Sequence, residues 1–75
     1  MYKLYRTSDI YLSAYLKTKG HNVIQIEKPN NQCFFCFNND ELLQSNKMRF
    51  FNNGLIAVTD YKNAIFDLKI LIHNV

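Results

Sequence analysis

Apolar and polar positions alternate at the start of the chain, switch to a helical period near residue 9, and switch back after residue 20. Tyr2, Leu4 and Arg6 fall on one side of an extended backbone and Lys3 and Tyr5 on the other, which predicts a short strand over residues 2–6. The "TSD" that follows is helix-start chemistry. Thr7 or Ser8 can accept a hydrogen bond from the first free helical N–H groups, and Asp9 sits favourably at the positive end of the helix dipole. A helix over residues 9–19 is therefore expected, with Lys17 and Lys19 at its negative end and Gly20 free to adopt the left-handed conformation that stops it. Around its circumference Ile10, Tyr11, Leu12, Ala14, Tyr15 and Leu16 cover well over half, leaving Ser13 and Lys17 as a wet edge.

After this helix the pattern becomes "NVIQIEK", then "PNN", then "QCFFCFNND". Two extended runs rich in β-branched and aromatic residues, 22–28 and 32–37, are separated by turn formers and predict a β-hairpin. Strand alternation would point Cys33, Phe35 and Phe37 one way and Phe34 and Cys36 the other. "NND" opens a second helix over residues 41–51, with Asp40 and Glu41 in its first turn and Leu42, Leu43, Met48, Phe50 and Phe51 as its apolar positions; "NNG" ends it. "LIAV", residues 55–58, fits either a brief strand or a buried connector. "TD" caps a last helix over residues 60–73, where Tyr61, Ala64, Ile65, Leu68, Leu71 and Ile72 form one stripe. Opposite that stripe lie Phe66 and Ile70, four apart and within mutual reach, so the helix has two apolar faces. The order βαββαα predicts an α+β fold, a small antiparallel sheet made of the N-terminal strand and the hairpin, packed against three helices.

Composition narrows the class. Seventy-five residues leave room for a single domain, and 48% hydrophobic with 15% aromatic residues is ample for a core. Nine Lys and Arg against six Asp and Glu give a net charge of +3, but the bases are scattered, so charge alone says little about an anionic partner. Apolar runs are far too short to span a bilayer, and "MYKLYRTSD" has no signal-peptide core, so a soluble intracellular protein is expected. The abundance of Asn, Lys, Ile, Phe and Tyr is what AT-rich codons produce.

The spacing of Cys33 and Cys36 invites a redox or metal reading, which the strand removes. Three extended residues span roughly 10 Å, whereas a disulfide needs Cα atoms within about 7 Å, and the two thiols face opposite sides. Zinc needs about four ligands, and the other soft donors, His21 and His73, are distant in sequence. A thioredoxin-like pair would open a helix after a strand. Both cysteines therefore read as small hydrophobes, and no metal or cofactor is expected. His21, beside a helix-stopping Gly, suits hydrogen bonding to the last carbonyls of that helix, and His73 suits a solvated helix terminus. Asp9, Asp40 and Asp60 each stand at a helix start, where capping accounts for them. No catalytic triad, phosphate loop or paired carboxylate can be read, so a non-enzymatic protein is expected.

The stretch "YRTSDIYLSAYLKTKGH", the "VIQIEK" and "CFFCFNNDEL" hairpin, and the "FFNNGLIAV" to "AIFDLKILIHN" end resemble a family of small uncharacterised domains found in bacterial and bacteriophage genomes. The positions carrying the resemblance include Thr7, Ser8, Asp9, Leu12, Ala14, Leu16, Lys19, Gly20 and His21, and it extends over nearly the whole chain. It implies no activity and no catalytic residues. It does imply a phage or mobile-element accessory protein and plain apolar residues at the positions of Cys33, Phe35 and Phe37.

Two functional expectations follow. One is protein association, with the chain itself as a candidate partner in a homodimer, through Phe34 and Cys36 on the sheet and Phe66 and Ile70 on the last helix. The alternative is nucleic-acid binding, with Phe34 as a stacking platform and Lys47, Arg49, Lys62 and Lys69 as phosphate contacts. Neither a membrane nor a small-molecule substrate is expected as a partner. The bacterial host cytoplasm is the expected location, with association to a virion left open.

Overall fold

A computed structural model describes residues 3–74 and has the expected order: β1 (Leu4–Thr7), α1 (Ile10–Thr18), β2 (Gln25–Glu27), a short 3-10 turn (Pro29–Asn31), β3 (Phe34–Asn38), α2 (Glu41–Phe51) and α3 (Val58–His73). Tyr2, expected to begin the first strand, lies outside the described residues. The sheet is antiparallel with order β1-β3-β2, so β3 is its central strand. Tyr5 faces Phe37, Thr7 and Ile26 both face Phe35, and this side packs on the helices. Arg6 and Gln25 flank Cys36, and Glu27 faces Phe34, on the other side.

The helix starts are set by carboxylates one position from where the sequence suggests. Asp9, not Thr7 or Ser8, is the N-cap of α1; its Oδ1 accepts from Tyr11 N at 2.9 Å and Leu12 N at 3.2 Å. Thr7 Oγ1 accepts from Asp9 N and so orients the capping residue. Asp40 likewise caps α2, accepting from Leu43 N at 2.8 Å. In α3 the expected capping by Thr59 and Asp60 is overturned. The helix begins two residues earlier at Val58, and its N-cap Ala57 offers no side-chain acceptor.

Five consecutive residues of α1, Leu12 to Leu16, are buried, because the helix touches both α2 and α3 as well as the core side of the sheet. Ser13, expected at a wet edge, is among them. Its hydroxyl donates to Asp9 O at 2.9 Å, so the polar atom enters the core satisfied. Leu71, assigned by sequence to the buried stripe of α3, is instead exposed, while Ala64 and Leu68 are fully in the core. Tyr61 Oη donates to Tyr11 O at 3.0 Å and ties α3 to α1, and Lys28 Nζ donates to Ile72 O at 2.7 Å and ties the hairpin to the end of α3.

The two glycines act differently. Gly20 takes φ +97°, and His21 N and Gly20 N donate to Leu16 O and Lys17 O, closing α1 in a Schellman turn. At the end of α2 the positive φ belongs to Asn53, at 60°, and Gly54 N donates to Arg49 O at 2.7 Å. Gly54 is required for space: a Cβ there would collide with the buried Tyr15 hydroxyl and stand 2.9 Å from Arg49 O. Gly54→Ala is expected to destabilise the fold by about 1–3 kcal/mol through overpacking. Thermal unfolding of the variant checks this, and an unchanged melting temperature would show that Tyr15 can move away freely.

Candidate functional site

The outer side of the sheet is closed by its own edge strands. Arg6 on β1 and Glu27 on β2 stand two strands apart, about 9.6 Å in backbone spacing, and both side chains are long enough to meet above β3. They do so, with Arg6 Nε 2.8 Å from Glu27 Oε1, while Gln25 Nε2 donates to Glu27 Oε2 at 2.7 Å. Cys36 lies beneath this strap at 0% exposure. The Arg6 guanidinium also stacks on Phe34, its carbon 4.7 Å from the ring centroid, and leaves Phe34 half-buried. Cys36 is thus withdrawn from any contact a partner could make on this face, and Phe34 presents only part of its ring.

The strap also governs the thiol's chemistry. Burial pushes Cys36 above the ordinary value of 9.0, the Glu27 carboxylate adds to the shift, and Arg6 offsets part of it. The group stays a thiol at neutral pH and is a poor nucleophile. Cys33 is half-buried on the opposite side of the strand, and both cysteines are free.

On α3 the outer face is open. Phe66 is 63% exposed and Ile70 45%, one turn apart and opposite the buried Ala64 and Leu68. The basic residues considered for nucleic acid do not converge. Lys47 is folded over the Tyr5 ring at 4.9 Å, Arg49 is two residues along the same helix and so turned away from it, and Lys62 and Lys69 lie along one edge of α3.

Two shallow recesses contain polar groups. One, about 250 Å³, is lined by His21, Asn22, Asn38 and Asp40, and of these His21, Asn38 and Asp40 have hydrogen-bond partners. His21 Nε2 lies 2.9 Å from Nδ2 of the buried Asn46, so the ring joins α1 to α2 through its side chain while its backbone closes α1. Asp40 accepts from Leu43 N and from Asn38 Nδ2. The other recess, about 240 Å³ between α1 and α3, is lined by Lys17, Thr18, Asp60, Asn63, Ala64 and Asp67. Among the described residues no three His, Cys, Asp or Glu side chains gather closely enough to hold a metal ion, and no helix is long and apolar enough to cross a membrane.

Sequence reasoning missed a further apolar surface at the α2–α3 connection. Residues 55–57 form neither a strand nor a buried connector: Leu55 is 88% exposed and Val58 80%, with Phe51 and Met48 of α2 exposed as well. Lys19 Nζ donates to Leu55 O at 2.9 Å and fixes the backbone there, with Leu55 and Val58 exposed and Ile56 half-buried. An apolar residue type does not require burial, so nothing local in "LIAV" announced this.

At neutral pH Cys33 is expected to react with an aromatic disulfide reagent in the folded protein, whereas Cys36 reacts only on unfolding. Similar rates for both thiols in the native protein would contradict the strap. Burial also raises the Tyr5 and Tyr61 phenols, partly offset at Tyr5 by its hydrogen bond with Thr7 and reinforced at both by Asp9. Because the folded-state values of all three groups are raised, their stabilising contribution is present below the ordinary values of 9.0 and 10.0 and is lost as pH rises past the raised ones. Melting temperatures are expected to decline from about pH 9 upward, and a flat profile through the phenol range would oppose this.

No curated protein and no solved structure matches the chain. A family model described as a domain of unknown function, DUF5659, matches residues 2–74, and the chain belongs to that family.

Proposed function

We propose that the chain is a non-enzymatic accessory module that works by associating with another protein through the outer face of α3, a second copy of itself being one candidate partner. The observation that carries this reading is the joint exposure of Phe66 and Ile70 on a helix whose opposite side is already committed to the core. Burying what is still exposed of these two side chains is worth about 1 kcal/mol each, so the pair is a modest reserve for association. Tyr61 and Lys28 hold α3 in place, and the surface is presented with little ordering left to do on binding.

The non-enzymatic part is supported by what the reactive groups already do. Asp9 and Asp40 cap helices, His21 pairs with Asn46, and Cys36 keeps its proton beneath Arg6 and Glu27. Origin in a phage or other mobile element, acting in a bacterial cytoplasm, is supported by the resemblance carried by "TSD" through "KGH". Nucleic-acid binding has weaker support, since Lys47, Arg49, Lys62 and Lys69 are divided among separate surfaces.

Phe66→Glu combined with Ile70→Lys tests the reading. Sizing is done both on the purified chain at increasing concentration and on the chain in a bacterial lysate. The wild type is expected to enter an assembly that the variant does not, while the two unfold at similar temperatures because both positions are on the surface. Equal sizes in both settings would remove the α3 face from the account.

A further inference from the structure

The polar residues around Phe66 and Ile70 are sorted by charge, and the sorting specifies how two copies would meet. α3 spans 16 residues, about 24 Å of helix. Its outer face follows a heptad in which Asn63 and Ile70 occupy one seam position, labelled a, and Thr59, Phe66 and His73 the other, labelled d. Every one of these is exposed. The core-facing residues Tyr61, Ala64, Ile65, Leu68 and Ile72 all fall at the remaining positions b, c and f, so packing within the chain leaves the seam free.

The flanks of the seam carry opposite charges. Position e holds Asp60 and Asp67, and position g holds Lys62 and Lys69. All four are exposed, and none is in an ion pair among the described residues; Lys17 lines the same cleft as the two aspartates without reaching ion-pair distance.

We infer that the partner of this face is a second copy of the chain, joined through a parallel, in-register α3–α3 pairing on a two-fold axis. In a parallel pair each g residue meets the partner's e residue five positions on, so Lys62 of one copy meets Asp67 of the other, twice by symmetry. An antiparallel pair would instead set g against g and e against e, lysine on lysine and aspartate on aspartate. Asn63 selects the same geometry. In register it faces its own counterpart and the two amides can hydrogen-bond, whereas a shift would bury it against an apolar residue. Phe66 and Ile70 each meet their symmetry mates between these polar layers. With barely two heptads the dimer is weak and forms toward the upper end of ordinary working concentrations.

The inference rests on the association reading, and the test separates the two. Sedimentation equilibrium from micromolar to millimolar concentration is run on the purified full chain, on Lys62→Glu, on Asp67→Lys and on the double exchange. Each single reversal turns two attractive contacts into two repulsive ones and is expected to weaken the dimer about tenfold, while the double exchange restores it. Orientation is read from His73→Cys with Cys33→Ser. A parallel pair places the two introduced thiols face to face and closes an intermolecular disulfide on oxidation, whereas an antiparallel overlap centred near Leu68 would hold those positions about 15 Å apart.

A dimer abolished by Phe66→Glu with Ile70→Lys, but indifferent to the charge reversals or lacking the disulfide, would overturn the parallel geometry and leave the association reading standing. A wild type that stays monomeric at millimolar concentration would overturn pairing with a second copy. The association reading would then be judged separately, by the lysate assembly and its loss in the same variant.

Discussion

Everything else in this fold is arranged around the alternation of side chains along β3. As the central strand it pairs with β1 on one edge and β2 on the other. Phe35 and Phe37 go to the helical side and Cys36 to the opposite one. A slip of one residue would exchange these sets, placing a thiol where two phenylalanines fill the core. In this register Arg6, beside Cys36, and Glu27, beside Phe34, meet on a diagonal across β3. The strap contributes little as a surface ion pair. Its value is in covering a small apolar group that no helix reaches.

On the helical side, α1 fills the space that β3 defines. A helix buried over five consecutive residues must be covered nearly all round, and α1 is, by α2, α3 and the sheet. That explains how a serine is accommodated at full burial. Ser13 returns its hydrogen bond to Asp9 O within the same helix, so no neighbour has to supply a partner. It also explains the demand at Gly54, where the chain leaving α2 passes directly against the Tyr15 hydroxyl.

The elements whose cause is local were legible from sequence. β1, α1, β3 and α2 lie within a residue or two of their expected bounds, because carboxylate caps, Gly20 and the alternation of "CFFCF" act over a few neighbouring residues. Phe66 and Ile70 lie opposite the buried Ala64 and Leu68 because helical periodicity fixes opposition, whereas whether that face is covered depends on distant elements and was not legible. What escaped depends on distant partners. The Arg6–Glu27 strap joins residues 21 apart and decides that Cys36 is buried; the Lys19 bond to Leu55 O joins residues 36 apart and fixes the exposed connection. The early start of α3 at Val58 was hidden for another reason. Thr59 and Asp60 are good capping residues, and a helix that begins at Val58 after an Ala57 N-cap with no side-chain acceptor leaves a weaker sequence signal than the one they suggest.

The two outer faces also show why one is closed and the other open. On the sheet, a covering residue need only reach across neighbouring strands spaced about 4.8 Å apart, and a long polar side chain on each edge suffices. A helix has no such lateral neighbour on its far side, and the outer face of α3 can be covered only by another element. Among the described residues none is placed to do so: α1 is consumed in the core, α2 packs on α1, and the molecule is only 17 Å thick in its shortest dimension. Its accessible surface, 5239 Å², exceeds the roughly 4,800 Å² expected of a compact monomer of this mass. That excess goes with a flat molecule, 33 × 32 × 17 Å along its principal axes. The openness of α3 follows from how the described elements are used rather than from any single residue. Its flanking charges are a separate matter, since a face left uncovered for want of elements has no need of aspartates on one edge and lysines on the other. That sorting is the part of the sequence that packing within one copy does not explain.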